Sequence, residues 1–462
     1  MYRYVIEDMR HVLPFNEPAR DLTIGTETLK IHQENLFAEA FKKCDLGGTF
    51  RSADQIRHIG SGEAIVYRDN LWFDREFLEY FLRRARTIRR ACRAAFFADD
   101  VAFRTYTLPL TTGFERITSK DGRQICLADL WYFPDGYNAE IVPVVVPSDA
   151  DEKDAEKGFY NVPHFMVHDQ GDLTHYLPAR AILSIESWVH IYYASVIFGV
   201  FTRGSRFEKY VKTHNFYALR LLWRGVIEQK QVLTTSEVVR VGKDTVIDPS
   251  AIISGPTTIG DNCFIGPGVV IDNCAIGNDV NISQGCQLML TTVANNCFLP
   301  FRASMFMSAM MENSILAQNT CVQMCVVGRN SFLGAGSTFT DFNLLGELET
   351  YTDTLGNRRE RVVPRPIKAA NIRGELESVG QAVLGGAVGH NCRIGAGMII
   401  FPGRMIESDV VLVASPQRRL ITRNVTFEES DHHGLDISGA VHRRLYPRQD
   451  EVEMEEDTWS SW

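Results

Sequence analysis

The stretch Ile259-Gly-Asp-Asn-Cys-Phe-Ile265-Gly-Pro-Gly-Val-Val-Ile271-Asp-Asn-Cys-Ala275 decides the fold of this chain. It is the first of five tandem 17-residue units, which open at Ile259, Ile276, Val293, Met310 and Val327 and end at Asn343. Each unit divides into segments of six, six and five residues, each opened by an apolar residue: Ile259, Ile265 and Ile271 in the first, Val327, Leu333 and Phe339 in the fifth. Four places after most openers stands a small residue, such as Cys263, Cys286, Cys297, Ala303, Ser314, Thr320, Ser331 or Ser337. A large residue followed by a small one, three times per unit, describes a triangular coil. The opener fills the inside, the small residue fits near the corner, and Gly260-Asp261-Asn262 supplies the bend. Stacked coils of this hexapeptide type share one core, which predicts a left-handed parallel β-helix.

Outward from these units, Val241, Ile247 and Ile253 space out an earlier coil of 18 residues. After Asn343 the period breaks at a charged insertion, 344–380, which holds Glu347–Asp353 and Arg358–Arg361. It resumes at Val388, Ile394, Ile400 and Met405 and is lost beyond Glu428. The β-helix is therefore expected over 241–427. The remainder, 428–462, is an acidic tail with Asp450–Asp457 and two terminal tryptophans, Trp459 and Trp462. Residues 181–240 read as a helical linker carrying Trp188, Tyr192, Val196, Phe201, Phe207, Tyr210, Leu219 and Leu222. Residues 1–180 read as an α/β domain, with strands at Tyr2–Val5 and Glu63–Tyr67 and an apolar buried strand in Ala139–Val146. A long helix is expected from a cap at Asp74 to Phe97, with arginines dense toward its end. Ser148–Lys157 is a charged surface loop.

The formal charge of −9 argues against a nucleic-acid surface. Met1–Arg10 lacks the charged-then-apolar layout of a signal peptide. The ten cysteines include no CxxC pair, and Cys263, Cys286, Cys297 and Cys392 sit at small coil positions. They read as reduced core residues, which points to a cytoplasmic protein without a metal site. Ala181–Phe201 is about long enough for a membrane span, but Glu186 and His190 interrupt it, so a buried helix is expected.

Three motifs resemble the sugar-1-phosphate nucleotidylyltransferases with a C-terminal β-helix, among them the bacterial uridyltransferase/glucosamine-1-phosphate acetyltransferase. They are Tyr4–Pro14 with Pro18–Gly25, Gly334-Ala-Gly-Ser337 leading into Asp341-Phe-Asn343, and Gly374–Gly380 with Leu384–Gly389 and Phe401-Pro-Gly403. The resemblance implies a nucleotidyltransferase-like N-terminal domain, a homotrimer, a sugar-phosphate ligand, and magnesium with a nucleotide sugar.

The chain departs from that pattern at the positions that carry chemistry. No glycine-rich loop with Arg and Lys lies in the first 60 residues. Glu17 and Thr23 stand where the family has arginines, and Glu17 adds a repelling charge at a phosphate-facing turn. The position of the acetyl-transfer base holds Gln318, whose amide cannot accept a proton as imidazole does. The Asn-Tyr of the sugar site becomes Asp341-Phe342. Use of acetyl-CoA is thereby disfavoured.

The candidates that remain are Asp341, Asn343 and His390 for chemistry and Arg20, Lys30, Lys368 and Arg373 for substrate. Asp341, Asn343, Lys368, Arg373 and His390 are expected to gather near the insertion and the next subunit, although a lone turn histidine such as His390 is more often simply exposed. Two functions follow: a transferase acting on a sugar phosphate at an inter-subunit groove, or a non-catalytic trimeric scaffold descended from one. Phe301, Met305, Phe306, Met307, Met310, Met311 and Met324 form an apolar set that is expected to need cover from neighbouring subunits.

Overall fold

The computed structural model describes residues 1–462 except 42, 120, 152, 154, 162–171, 344–345, 435–441 and 450–462. Of the expected tail, Asp450–Asp457, Trp459 and Trp462 therefore lie outside the described residues, as does part of the 148–157 loop, whereas 442–449 is described and contacts the coils through Tyr446 and Arg448.

The N-terminal domain is built on a mixed sheet. In chain order its elements are β1 (Tyr2–Ile6), α1 (Leu29–Ala40), β2 (Asp45–Phe50), β3 (Ala64–Arg68), α2 (Arg75–Ile88), β4 (Cys92–Phe97), β5 (Glu115–Thr118), β6 (Gln124–Phe133) and β7 (Val142–Val145). The order across the sheet is β7-β4-β6-β3-β1-β2, with β5 beside β6. β1 runs parallel to β2 and β3, whereas β6 runs antiparallel to β3 and β4. One face is covered by an aromatic core of Phe37, Phe73, Phe77, Phe81, Phe96 and Phe103, the other by Ile6, Val66, Trp131 and Phe133.

Asp74 caps α2, its Oδ1 accepting from the Phe77 amide at 2.8 Å. The helix ends sooner than its sequence pattern predicts. Arg89 turns to a left-handed φ of 56° after Ile88, and Cys92–Phe97 is strand β4. Cys92, Ala94, Ala95 and Phe96 are fully buried on both faces of that strand. A strand covered on both sides has no polar alternation to separate it from a helix. Ile182–Ser184, expected to be helical, is instead a short strand paired with Leu71–Phe73.

The β-helix has eight coils, each giving one strand to each of three eight-stranded parallel sheets. The register is uniform: Ile259 pairs with Ile276, Ile265 with Ile282, and Ile271 with Leu288. The openers are buried as expected, except in the first coil, where Val241 at the open end of the stack is exposed. Gly334 is required by its neighbour coil, since a Cβ there would lie 2.5 Å from the Ala396 amide nitrogen. Gly336 takes the left-handed turn at φ +68°. The insertion forms two antiparallel hairpins, Gly346–Thr352 with Arg358–Pro364 and Lys368–Ala370 with Leu376–Ser378. Register is kept across it, so that Val327 pairs with Val388.

Between sheet and coils runs a helical arm: α3 (Trp188–Tyr192), a wider-turned continuation to Phe201, α4 (Thr202–Thr213) and α5 (Asn215–Glu228). Its first half is buried, with Trp188, Tyr192, Tyr193, Val196 and Ile197 packing against Leu22 and Ile24 on one side and Leu290, Met307, Met311 and Met324 on the other. This overturns the expected need for neighbouring subunits. Met305 and Met310 lie inside the coils, and Met307, Met311 and Met324 are covered by the chain's own helical arm. Of the set, Phe301 remains exposed. No helix among the described residues is long and apolar enough to cross a membrane.

Candidate functional site

In an α/β sheet, ligands lodge where parallel strands end and their loops diverge. Here β1 and β3 end side by side, and the loops after them bring together charged residues far apart in sequence. Asp69 follows β3 and is buried. Its Oδ1 accepts from the Asp8 amide at 2.8 Å, and its Oδ2 faces Arg20 Nη1 at 3.2 Å. Arg20 also binds Glu7 at 2.9 Å. Arg10 holds both oxygens of Asp8, the closer at 2.6 Å, and stands 3.7 Å from Glu186. Glu186 is fully buried and saturated by Ser184, Thr111, and the amide and hydroxyl of Thr112. Arg68 and Arg93 flank Asp129 from β6.

Burial pushes the Asp69 carboxyl up to about 6, against the downward pull of the Asp8 amide and Arg20. Burial acts the same way on Asp8, but Arg10 outweighs it and holds that carboxyl below its ordinary value. Glu186 is likewise held low, its hydroxyl donors and Arg10 overcoming burial.

This cluster is closed on itself. The amides of Asp8, Arg10 and His11, in the loop after β1, are taken by Asp69, Asp8 and Gln449 side-chain oxygens at 2.8, 3.1 and 3.2 Å. These are the donors that a phosphate would need. Magnesium does not fit either. The oxygens of Asp8, Asp69 and Glu186 already serve Arg10, Arg20, the Asp8 amide and the hydroxyls, and no group of three potential metal ligands occurs among the described residues. Asp69, Asp129 and Glu186 escape sequence reasoning because no spacing rule links three isolated carboxylates on separate strands and loops.

Arg20, expected to bind substrate, is thus pinned among Glu7, Asp21 and Asp69. Lys30 lies exposed on the first turn of α1. Glu17 does not face a phosphate turn, as its sequence position suggests. It points at the coils, pairing with Arg329 at 2.8 Å and lying 3.4 Å from His390 Nε2. His390 is not an exposed turn residue but fully buried, with the tilted rings of Phe15 and Tyr446 at 5.0 and 4.8 Å from its own. Its Nδ1 accepts from the Arg329 amide at 2.9 Å. Burial holds the His390 imidazole below its ordinary value, despite Glu17.

The remaining candidates divide. Asn343 and Lys368 come together in a pocket of about 290 Å³ beside the insertion, lined also by Glu347, Arg365, Ile367 and Arg404. The Asn343 amide donates to the Arg365 carbonyl at 2.8 Å, which ties the end of the sixth coil to the insertion. Asp341 is elsewhere. It is buried close enough to Tyr192 and Cys325 to disfavour their ionisation, and burial raises its own carboxyl. Arg373 is exposed on the turn of the second hairpin, outside the pocket. The expected gathering of Asp341, Asn343, Lys368, Arg373 and His390 is therefore reduced to Asn343 and Lys368.

The family model of the bacterial transferase hexapeptide (six repeats) matches residues 239–273, so the chain carries this repeat. Among solved structures it is similar to the acetyltransferase domain of PglB from Neisseria gonorrhoeae in complex with acetyl coenzyme A. The identity is 18% over 22% of this chain and 54% of that one, with a TM-score of 0.17. The same domain without that ligand gives 20% over 25% and 55%, also at 0.17. A putative acetyltransferase from Bacillus cereus gives 16% over 28% and 83%, at 0.16. The match spans about half the length of the first two. No curated protein matches the chain.

Proposed function

We propose that this protein is a hexapeptide-repeat transferase acting on a sugar phosphate or nucleotide sugar at the β-helix groove beside its insertion, with the nucleotidyltransferase-like domain kept as a platform. The observation that carries this reading is the pocket of Asn343 and Lys368. Lys368 lines it together with Asn343 and Glu347, and gives it an ammonium and an amide suited to a phosphate group. Asn343 would orient the ligand and Lys368 would meet its charge. Gln318 offers no base for acetyl transfer, so the transferred group is not expected to be acetyl from acetyl-CoA. A homotrimer would complete the groove. Exposed Phe264, Phe298 and Phe332, on alternate coils of one flat face, support such an assembly. The ten free cysteines, most of them buried thiols, support a cytoplasmic setting.

The second reading, a non-catalytic scaffold, is favoured by the internal pairing of Glu17, Arg20 and His390. Calorimetry with glucosamine-1-phosphate and UDP-N-acetylglucosamine separates the two. The transferase reading expects saturable binding that Lys368→Glu weakens at least tenfold. Absence of binding by either ligand at millimolar concentration would leave the scaffold.

A further inference from the structure

Helix α5 carries a large apolar surface that nothing among the described residues covers. Its inner side is narrow: Leu221 and Gly225 are buried, and Gly225 lets the helix close onto the following turn, a Cβ there lying 3.1 Å from the Lys230 carbonyl. Its outer side presents Phe216, Leu219, Leu222, Trp223, Val226 and Ile227, each between 55% and 92% exposed. At about 100° per residue these six fall in one arc of roughly 140°, which they share only with Asn215 at the first position of the helix. No charged residue falls within that arc. An amphipathic helix normally turns its apolar arc inward, and this one turns it out.

We propose that the outer face of α5 docks on the same helix of a second copy of this chain. Two features of the surface identify the occupant. The first is area. Six such side chains expose on the order of 100 Å² apiece, so the face approaches the about 800 Å² that each partner gives to a stable interface. It meets or exceeds the largest patch, about 300–600 Å², found on a typical monomer. The second is charge. The two arginines at the edge of the arc are already paired within the chain, Arg220 with Glu237 at 2.9 Å and Arg224 with Glu228 at 2.6 Å. The face therefore offers no unmatched cations to an anionic lipid surface or an acidic peptide. A surface that is apolar, of even width and charge-balanced is complementary to itself, and a two-fold axis uses each of its contacts twice. The contact is independent of the coil face that carries Phe264, Phe298 and Phe332. Were that face to build trimers, α5 would join them in pairs.

The test is the mass of the full chain by light scattering at about 10 μM. An even-numbered assembly is expected. Leu219→Glu with Trp223→Glu should halve its mass and leave the circular-dichroism melting curve in place, whereas Phe264→Glu with Phe332→Glu should leave the α5 contact intact. Should the first pair of substitutions fail to fold, Leu222→Cys in the otherwise unaltered chain is expected to give a disulfide-linked dimer on oxidation. A monomer or an odd-numbered assembly in the unaltered protein, an unchanged mass in the glutamate variant, or no cross-link through Cys at 222 would overturn the proposal. A monomer that floats with phosphatidylserine vesicles would do so as well, and would assign the face to a membrane.

Discussion

Glu17 and Arg329, 312 residues apart, form an ion pair of 2.8 Å between the N-terminal domain and the coils. Arg329 also binds Glu312 at 2.8 Å and donates to the Asp21 carbonyl at 2.6 Å. Thr23 donates to the other Glu312 oxygen at 2.6 Å. Glu17 and Thr23, where the sequence resemblance leads one to expect arginines, instead fasten one domain to the other, and the cation of the pair, Arg329, lies on the coil side.

Arg329→Ala should therefore loosen the boundary. It leaves Glu17 and Glu312 partly buried without their cation, keeping only His390 and the Thr23 hydroxyl as partners, which costs on the order of 2–3 kcal/mol. Urea unfolding followed by tryptophan fluorescence is expected to show a lower midpoint or a separate early step. Arg329→Lys should recover only part, since one ammonium cannot span three acceptors in a fixed plane. A loss below about 0.5 kcal/mol, the range of ordinary surface changes, would deny the lock.

The buried His390 makes stability pH-dependent. Its imidazole is held below 6.5 in the folded chain and returns to about 6.5 on unfolding. The unfolded state therefore binds the extra proton. Stability from this group is complete above about pH 7 and falls as pH drops through 6.5, by up to about 1.4 kcal/mol per pH unit. Glu17, held low by His390 and Arg329 against burial, gives way only below its ordinary 4.5. His390→Gln should flatten the fall between pH 7 and 5. An unchanged slope in the variant would rule this out.

Asp69 works in the opposite direction. Its carboxyl titrates at about 6 in the folded chain against 3.8 unfolded, so the folded state binds more protons between those values and stability falls as pH rises through them. Asp69→Asn keeps an oxygen for the Asp8 amide while removing the buried charge. The variant is expected to match the unaltered protein at pH 4 and to exceed it at pH 8, by on the order of 2 kcal/mol. Equal or lower stability at pH 8 would show that the Arg20 contact outweighs burial.

Nucleoside triphosphates are expected to bind weakly at most. The loop amides after β1 are occupied, and Arg10 and Arg20 are committed to carboxylates. Calorimetry with UTP, dTTP, CTP and ATP in the presence of magnesium should give no Kd below about 10 μM, roughly −7 kcal/mol. A tighter Kd for any of them would mean that these contacts open for a ligand.

The coils were legible because period and chemistry coincide in them: a buried opener and a small corner residue recur every 17 positions, and Ile259, Ile276 and Val293 need no outside partner to explain their burial. The Asp74 cap was legible for the same local reason. The end of α2 was not, because Cys92–Phe97 is covered on both faces and loses the alternation that marks a strand. The coil register does not show what covers Met307, Met311 and Met324, because their cover is a helical arm about a hundred residues upstream rather than a neighbouring subunit. Of the site, Asn343 and Lys368 were found through the coil motif and the insertion. The carboxylates at 69, 129 and 186 stayed hidden because only the sheet brings them together. The chemistry of His390 and Glu17 stands out in the sequence but their surroundings do not, since burial is a property of the partner surface and not of the residue.

The insertion interrupts the coil stack in time as well as in space. From the second coil to the sixth each rung closes 17 residues after the one before, but the seventh closes on the sixth only after 61. The longer loop adds about 1 kcal/mol of closure entropy at that one junction. The last two coils are held in turn from the far end of the sequence, Ser408 donating to the Pro14 carbonyl at 2.9 Å and Asn16 to Glu407 at 2.9 Å. As the chain leaves the ribosome, the first six coils can stack rung by rung. The last two must wait for the insertion to emerge, and then dock on a domain made hundreds of residues earlier. A chain pulled from its C-terminal end should part first at the seam between Val327 and Val388, and a chain lacking its first 17 residues should fray there unpulled.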